Sequence, residues 1–157
     1  MKLVTTLVIF LTCIFSTSAI ADAERLAESF NNSDIPSELV TSGWVENSGA
    51  KNFKIIQVFI SHSFHSIELH IDHSGKVVTW INSARSVDSS INSDVDYQFF
   101  ADAEDWEIIA DSEENFMHHM TVGGLTFKGP MMEAMSKMQV IDKLLITIAQ
   151  NIHPPAF

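Results

Sequence analysis

Four histidines fall within twelve residues, His62, His65, His70 and His73, and His118-His119 adds an adjacent pair. Imidazole at this density suits Zn, Cu or Ni, the chemistry of an exported metal-binding protein. The spacing argues against it. His62 and His65 stand three apart, as do His70 and His73, so on an extended strand each pair points to opposite faces. None has the Cys or His spacing of a structural zinc site. Solvent-facing strand and turn histidines are the expectation, with no metal site assigned. Metal binding through the His62–His73 cluster stands as the alternative. Carboxylate pairs such as Asp94/Asp96 and Glu104/Asp105 are of the right type for acid–base work. Twenty Asp and Glu supply such pairs by chance, however, and no apolar setting is evident that would tune one of them. There is no Gly-x-Ser-x-Gly elbow and no phosphate loop. No catalytic residue and no cofactor are assigned; a small carboxylate-dependent hydrolase or isomerase is the remaining enzymatic alternative.

Apolar side chains make the other signal. Six of the seven methionines lie between positions 117 and 138, namely Met117, Met120, Met131, Met132, Met135 and Met138. Met131, Met135 and Met138 are spaced for one helical face, continued by Ile141, Leu145 and Ile148. Methionine is unbranched and polarizable, so a wall of it adapts to ligands of differing shape. Taken alone, the same spacing favours an ordinary core stripe.

The elements that must position these residues begin after a secretory signal. Lys2 is a basic n-region, Leu3 to Phe15 is an apolar run broken only by threonines, and Ala19-Ile20-Ala21 is a small-x-small cleavage pattern. The expected division is therefore a signal peptide over 1–21 and one domain over 22–157. The apolar run is too short to cross a bilayer core of about 30 Å comfortably, so no stable membrane span is expected after cleavage. Cys13, the single cysteine, lies within the signal, leaving no disulfide, thiolate metal site or thiol nucleophile. All twenty acidic residues follow the cleavage point, against eight of the nine Lys and Arg, in a chain whose net charge is already −11. That balance argues against nucleic acid and against docking on an anionic membrane by charge. It favours solubility instead. An exported location, periplasmic or extracellular, is expected; the oligomeric state is not legible.

Helical spacing covers Asp22 to Phe30, with Ala23, Leu26, Ala27 and Phe30 on one side. A second short helix is expected over Ser37 to Glu46, carrying Leu39, Val40 and Trp44, with Pro36 near its start. From Phe53 the period changes to two. Strands are expected over Phe53–Ile60, Ser66–Asp72 and Val77–Ile81, the last two joined by a His73-Ser74-Gly75-Lys76 turn. Ser83 to Asp94 is a polar loop, and Val95 to Phe100 is another strand. Asp102 is an N-cap for a helix burying Trp106 and Ile109, with Asp105 as a second first-turn carboxylate. Phe116 to Met120 is a further turn of helix, and Gly123-Gly124 ends it. Leu125 to Lys128 is a last short strand. Gly129-Pro130 opens a helix, Pro at its first position, that runs with or without a bend from Met131 to about Ile152.

The second half carries a resemblance. The stretch Val95-Asp-Tyr-Gln-Phe-Phe-Ala-Asp-Ala-Glu-Asp-Trp106 resembles a penultimate strand running into an acid-capped helix of the sterol carrier protein 2 family. Gly124-Leu-Thr-Phe-Lys-Gly129 is similar to that family's short strand ending in glycine, and Met131-Met-Glu-Ala-Met135 stands where a small-and-apolar helix is expected. With the Ile67–Ile81 meander, the likeness covers roughly 53–145. Asp111-Ser112-Glu113-Glu114 departs from it, where the family's first capped helix commonly ends in glycine, and so does the signal, since the family is best known inside cells. The resemblance implies an α+β domain: a five-stranded, mostly antiparallel sheet covered on one face by helices. It also implies an apolar tunnel between the sheet and the C-terminal helices, and a sterol, fatty acyl or similar lipid as the small apolar partner. The wall it implies is Phe99, Trp106, Ile109, Phe116, Met117, Met120, Phe127, Met131, Met132, Met135, Met138, Leu144, Leu145 and Ile148. Burying a chain of about sixteen carbons contributes on the order of 12 kcal/mol, against association costs of roughly 4–15 kcal/mol. Micromolar affinity is thus within reach without a specific polar contact.

Overall fold

The computed structural model describes residues 18–63, 65–83 and 90–152, with side chains of the first helix from Asp22 onward. Residues 1–17 of the expected 1–21 signal and residues 84–89 of the expected 83–94 loop lie outside the described residues. The proposed cleavage point after Ala21 falls inside the first helix.

Among the described residues, six helices and five strands follow in the order α1 (Ser18–Asn31), α2 (Ile35–Thr41), β1 (Phe53–Ile60), β2 (Ser66–Asp72), β3 (Val77–Ser83), β4 (Tyr97–Ala101), α3 (Ala103–Ala110), α4 (Phe116–Thr121), β5 (Thr126–Lys128), α5 (Met131–Ser136) and α6 (Met138–Asn151). The strands form one sheet in the order β3-β2-β1-β4-β5. Every neighbouring pair is antiparallel except β1 and β4, which run parallel with Val58 opposite Phe99. The chain therefore leaves the β1–β2–β3 meander and returns on the far side of β1. This is the α+β, mostly antiparallel architecture the sequence implies.

Strand register sorts the side chains. Ile56, Val58 and Ile60 of β1 share a face with Ile67, Leu69 and Ile71 of β2 and with Tyr97 and Phe99 of β4. These residues join Leu26, Phe30, Leu39, Trp106, Ile109, Phe116, Leu144, Leu145 and Ile148 in one buried core. The helices thus cover one face, where β-branched and aromatic residues alternate inward. The opposite face carries a row of polar side chains. Gln98 donates to Gln57 at 2.7 Å, Gln57 to Glu68 at 2.7 Å, and His70 sits 2.6 Å from the other Glu68 oxygen. Phe53 stacks on His70, and Phe59 on Phe100, each pair with ring centroids 4.4 Å apart.

Local differences from the sequence expectation have identifiable causes. The second helix stops at Thr41, because Gly43 adopts φ +72° and starts a separate 3-10 turn at Trp44–Glu46. That left-handed step is open to glycine at little cost. Val40 is consequently exposed while Leu39 and Trp44 are buried. Pro130 stands one position earlier than expected, as the residue before α5. Asp102 does occupy the position before α3, but its side chain makes no capping bond; it lies 3.7 Å from His62. Asn115 caps α4 instead, accepting from the His118 N–H at 3.0 Å. The C-terminal helical run breaks at Lys137 into α5 and α6.

Candidate ligand-binding region

The region between the sheet and the last helices is built on aromatic rings. Tyr97 and Phe99 come inward from β4, Phe127 from β5 and Phe116 from the first position of α4. Phe127 is the hub, with centroids 5.1 Å from Tyr97, 5.3 Å from Phe99 and 5.2 Å from Phe116. The tilted and edge-on arrangements are those that ring quadrupoles prefer. α6 closes the region with Val140, Ile141, Leu144, Leu145, Ile148 and Ala149, all buried. Trp106 of α3 completes it, its indole N–H donating to the Phe59 carbonyl at 3.0 Å.

The fourteen wall residues sort into four groups. Phe99, Trp106, Ile109, Phe116, Phe127, Leu144, Leu145 and Ile148 are brought together in the buried core. Met117, Met120 and Met131 are half-buried and pack against it. Met138 is half-buried too, but it lines a separate cavity of about 380 Å³ with Glu38, Ser42, Lys137 and Val140. Met132 and Met135 are turned away, at 79% and 43% exposure. The stripe drawn through Met131, Met135 and Met138 is therefore not a single buried face. On an α-helical net the centre of the α6 stripe is Ile141 and Ile148, and Met135 lies on α5, before the break at Lys137.

At the edge of the aromatic cluster lies a charged one that the sequence reading missed. Lys54 of β1 is 0% exposed. Its ammonium donates to Glu133 Oε1 of α5 at 2.6 Å and to the Trp44 carbonyl at 3.2 Å. The Trp44 and Tyr97 rings flank it at 4.1 and 5.1 Å, within cation–π range. The Tyr97 hydroxyl donates to the same Glu133 oxygen at 3.0 Å, and Asn47 donates to Oε2 at 2.6 Å. Burial pulls the Lys54 ammonium below its usual range, and Glu133 opposes that pull. Burial first, then the Glu133 charge, pushes the Tyr97 phenol up, so it stays protonated and donates to Glu133. A signal for this cluster does exist in the sequence. Lys54 shares the inward parity of Ile56 and Val58, and Glu133 stands seven residues before Val140 and eleven before Leu144, on one helical side with both.

Other polar groups are buried and matched. Asp96 takes the Ile55 N–H at 2.8 Å, the Asn92 N–H at 2.8 Å and Lys51 at 2.5 Å. Asp94 is exposed, while Asp96 is enclosed by these donors. The Asp105 carboxylate packs against Gly124, in the place a Cβ there would take. The Trp44 indole N–H, buried with no hydrogen-bond acceptor, and His119 are exceptions among the described residues. His119 is 2% exposed with neither ring nitrogen hydrogen-bonded, and burial and then His118 hold it below 6.5. Among the described residues no three His, Cys, Asp or Glu side chains converge as a metal site. His62 and His73 are exposed, while His70 is tied to Glu68. No helix among the described residues is long and apolar enough to cross a membrane.

No protein-family model matches the sequence, and no curated protein does. Solved structures do match the architecture. A crystal structure of sterol carrier protein 2 superposes with a TM-score of 0.57 at 14% identity, covering 84% of this chain and 95% of the other. A conserved hypothetical protein and candidate sterol carrier protein of Thermus thermophilus superposes with a TM-score of 0.51 at 17% identity, covering 89% and 91%.

Proposed function

The chain has the sterol carrier protein 2 fold, and from that premise we propose that it binds and transfers an apolar ligand, a sterol, fatty acyl chain or similar lipid, without covalent chemistry. The observation that carries this reading is the aromatic and aliphatic wall between β4, β5 and α6, bordered by the half-buried Met117, Met120 and Met131. Adaptable thioethers beside fixed rings favour a ligand held by burial over one held by a fixed set of polar contacts. The reading includes export: residues 1–21 serve as a signal peptide, and 22–157 act in the periplasm or outside the cell.

Native mass spectrometry of gently purified protein, followed by organic extraction, tests it. A stoichiometric lipid mass is the expected result. A protein that arrives empty and ignores a panel of sterols, fatty acids and long-chain alcohols would sink the carrier reading. N-terminal sequencing of the protein isolated from its native cells and their medium should begin at Asp22; an uncleaved chain starting at Met1 and retained inside the cell would remove the export part alone.

A further inference from the structure

Lys54, Tyr97 and Asn47 lie on three separate stretches of chain, and all three donate to the one carboxylate of Glu133. Both of its oxygens are held: Oε1 by Lys54 at 2.6 Å and Tyr97 at 3.0 Å, Oε2 by Asn47 at 2.6 Å. The two main donors belong to the sheet. Lys54 is on the central strand β1, and Tyr97 is wedged edge-on between Trp44 at 5.4 Å and Phe127 at 5.1 Å. Their carboxylate rides on α5, six residues long with Ala134 as its one buried side chain. α5 is bounded by the break at Lys137 and by Gly129 at φ +156°, where a Cβ would meet the Asp96 carbonyl and the Phe127 ring at 2.7 Å. A fixed donor set thus faces an occupant on a short, thinly packed helix.

Take the Glu133 side chain away and the remaining groups make a carboxylate receptor. It has an ammonium at the floor, two aromatic walls, and a phenol and an amide at the rim. One full charge and two neutral donors match a monoanion with two oxygens. The position is also continuous with the apolar wall, since Tyr97 touches both Glu133 and Phe127. We propose that Glu133 is an internal stand-in for the ligand's head group: the Lys54–Tyr97–Asn47 cradle receives the carboxylate of an apolar monocarboxylate when α5 swings outward with Glu133. Assignment to a chain-bearing ligand rests on the carrier reading; the cradle's capacity for a free carboxylate does not.

Two arms keep these apart. In the first, Glu133→Gly is melted in 100 mM sodium acetate and in 100 mM sodium chloride, beside wild type and Lys54→Met/Glu133→Gly. Acetate should raise the midpoint of Glu133→Gly by about 4 °C over chloride, and the other two by less than about 1 °C. If Glu133→Gly is unfolded in chloride, recovery of a cooperative transition in acetate supports the cradle. No acetate-specific gain in either form overturns it. In the second arm, palmitate and hexadecanol, alike in chain and different in head group, are titrated into wild type and Glu133→Gln. Palmitate should bind Glu133→Gln at least about tenfold tighter than wild type, with hexadecanol changed less than about twofold. Parallel changes in the two ligands, or none, overturn the head-group assignment. If wild type binds neither, the carrier reading fails while the acetate arm still decides the cradle.

Discussion

α5 and α6 continue one another in sequence yet are held by different physics. α6 buries six apolar side chains in the common core, beside α3 and α1. α5 fully buries only Ala134, half-buries Met131, turns Met132 and Met135 outward, and is tied through Glu133 to Lys54, Tyr97 and Asn47. Apolar burial is spread over many contacts and is insensitive to the loss of any one charge. A buried ion pair concentrates its hold in two groups, and removing either leaves the other desolvated without a partner. The difference marks α5 as the element that a single side chain can release, and α6 as part of the framework.

Breaking each hold separately gives the largest effects. Glu133→Ala leaves the Lys54 ammonium buried and unpaired and should destabilise by about 4 kcal/mol, read by urea denaturation. Replacing both partners in Lys54→Met/Glu133→Leu should recover most of that loss. If the double variant is as unstable as the single one, the hold is not electrostatic. Leu144→Ala removes a fully buried side chain of α6 and should lower stability by about 3 kcal/mol through transfer and cavity terms.

A smaller effect concerns α4, which packs against α6. Its His119 is held below 6.5 by burial and by His118, with Glu114 and Asp142 nearby. Between the lowered folded value and 6.5 the unfolded chain binds more protons than the folded one. Stability is then complete above pH 6.5 and falls as pH drops through that window. His119→Leu should lose less stability than wild type between pH 7.5 and 5.5; an equal loss would place the acid sensitivity elsewhere. Smallest of all, Met132→Ser on the exposed side of α5 should change stability by less than about 0.5 kcal/mol. A large change there would mean that α5 is packed, not latched.

The contrast also tracks what could be read from the sequence. β1 and β2 have the bounds their alternation predicts, because Ile, Val and Phe at period two leave a single register that buries them. The helices over Phe116 and Trp106 follow from similar patterns, whereas the position of the break at Lys137 does not. Periodicity did not disclose Gly43 ending α2, since an isolated glycine is compatible with a continuing helix. Nor did it carry the pairing of β4 with β1, which joins residues some forty positions apart. Half of the wall, the rings and the α6 aliphatics, is legible as apolar spacing. Exposure of Met132 and Met135 was not legible from spacing, while the buried arc of α6 is centred on Ile141 and Ile148. Lys54 and Glu133 were legible in principle: each is a charge on an inward position, and each answers the other.

Hydrogen exchange with and without palmitate tests the central claim most directly, because it asks where an apolar ligand goes. Saturating palmitate should slow exchange across β4, α4, β5 and α6, leave the β3 edge unchanged, and alter α5 separately from α6. Binding that protects only the polar face of the sheet, or no segment at all, would contradict an apolar ligand held between sheet and C-terminal helices.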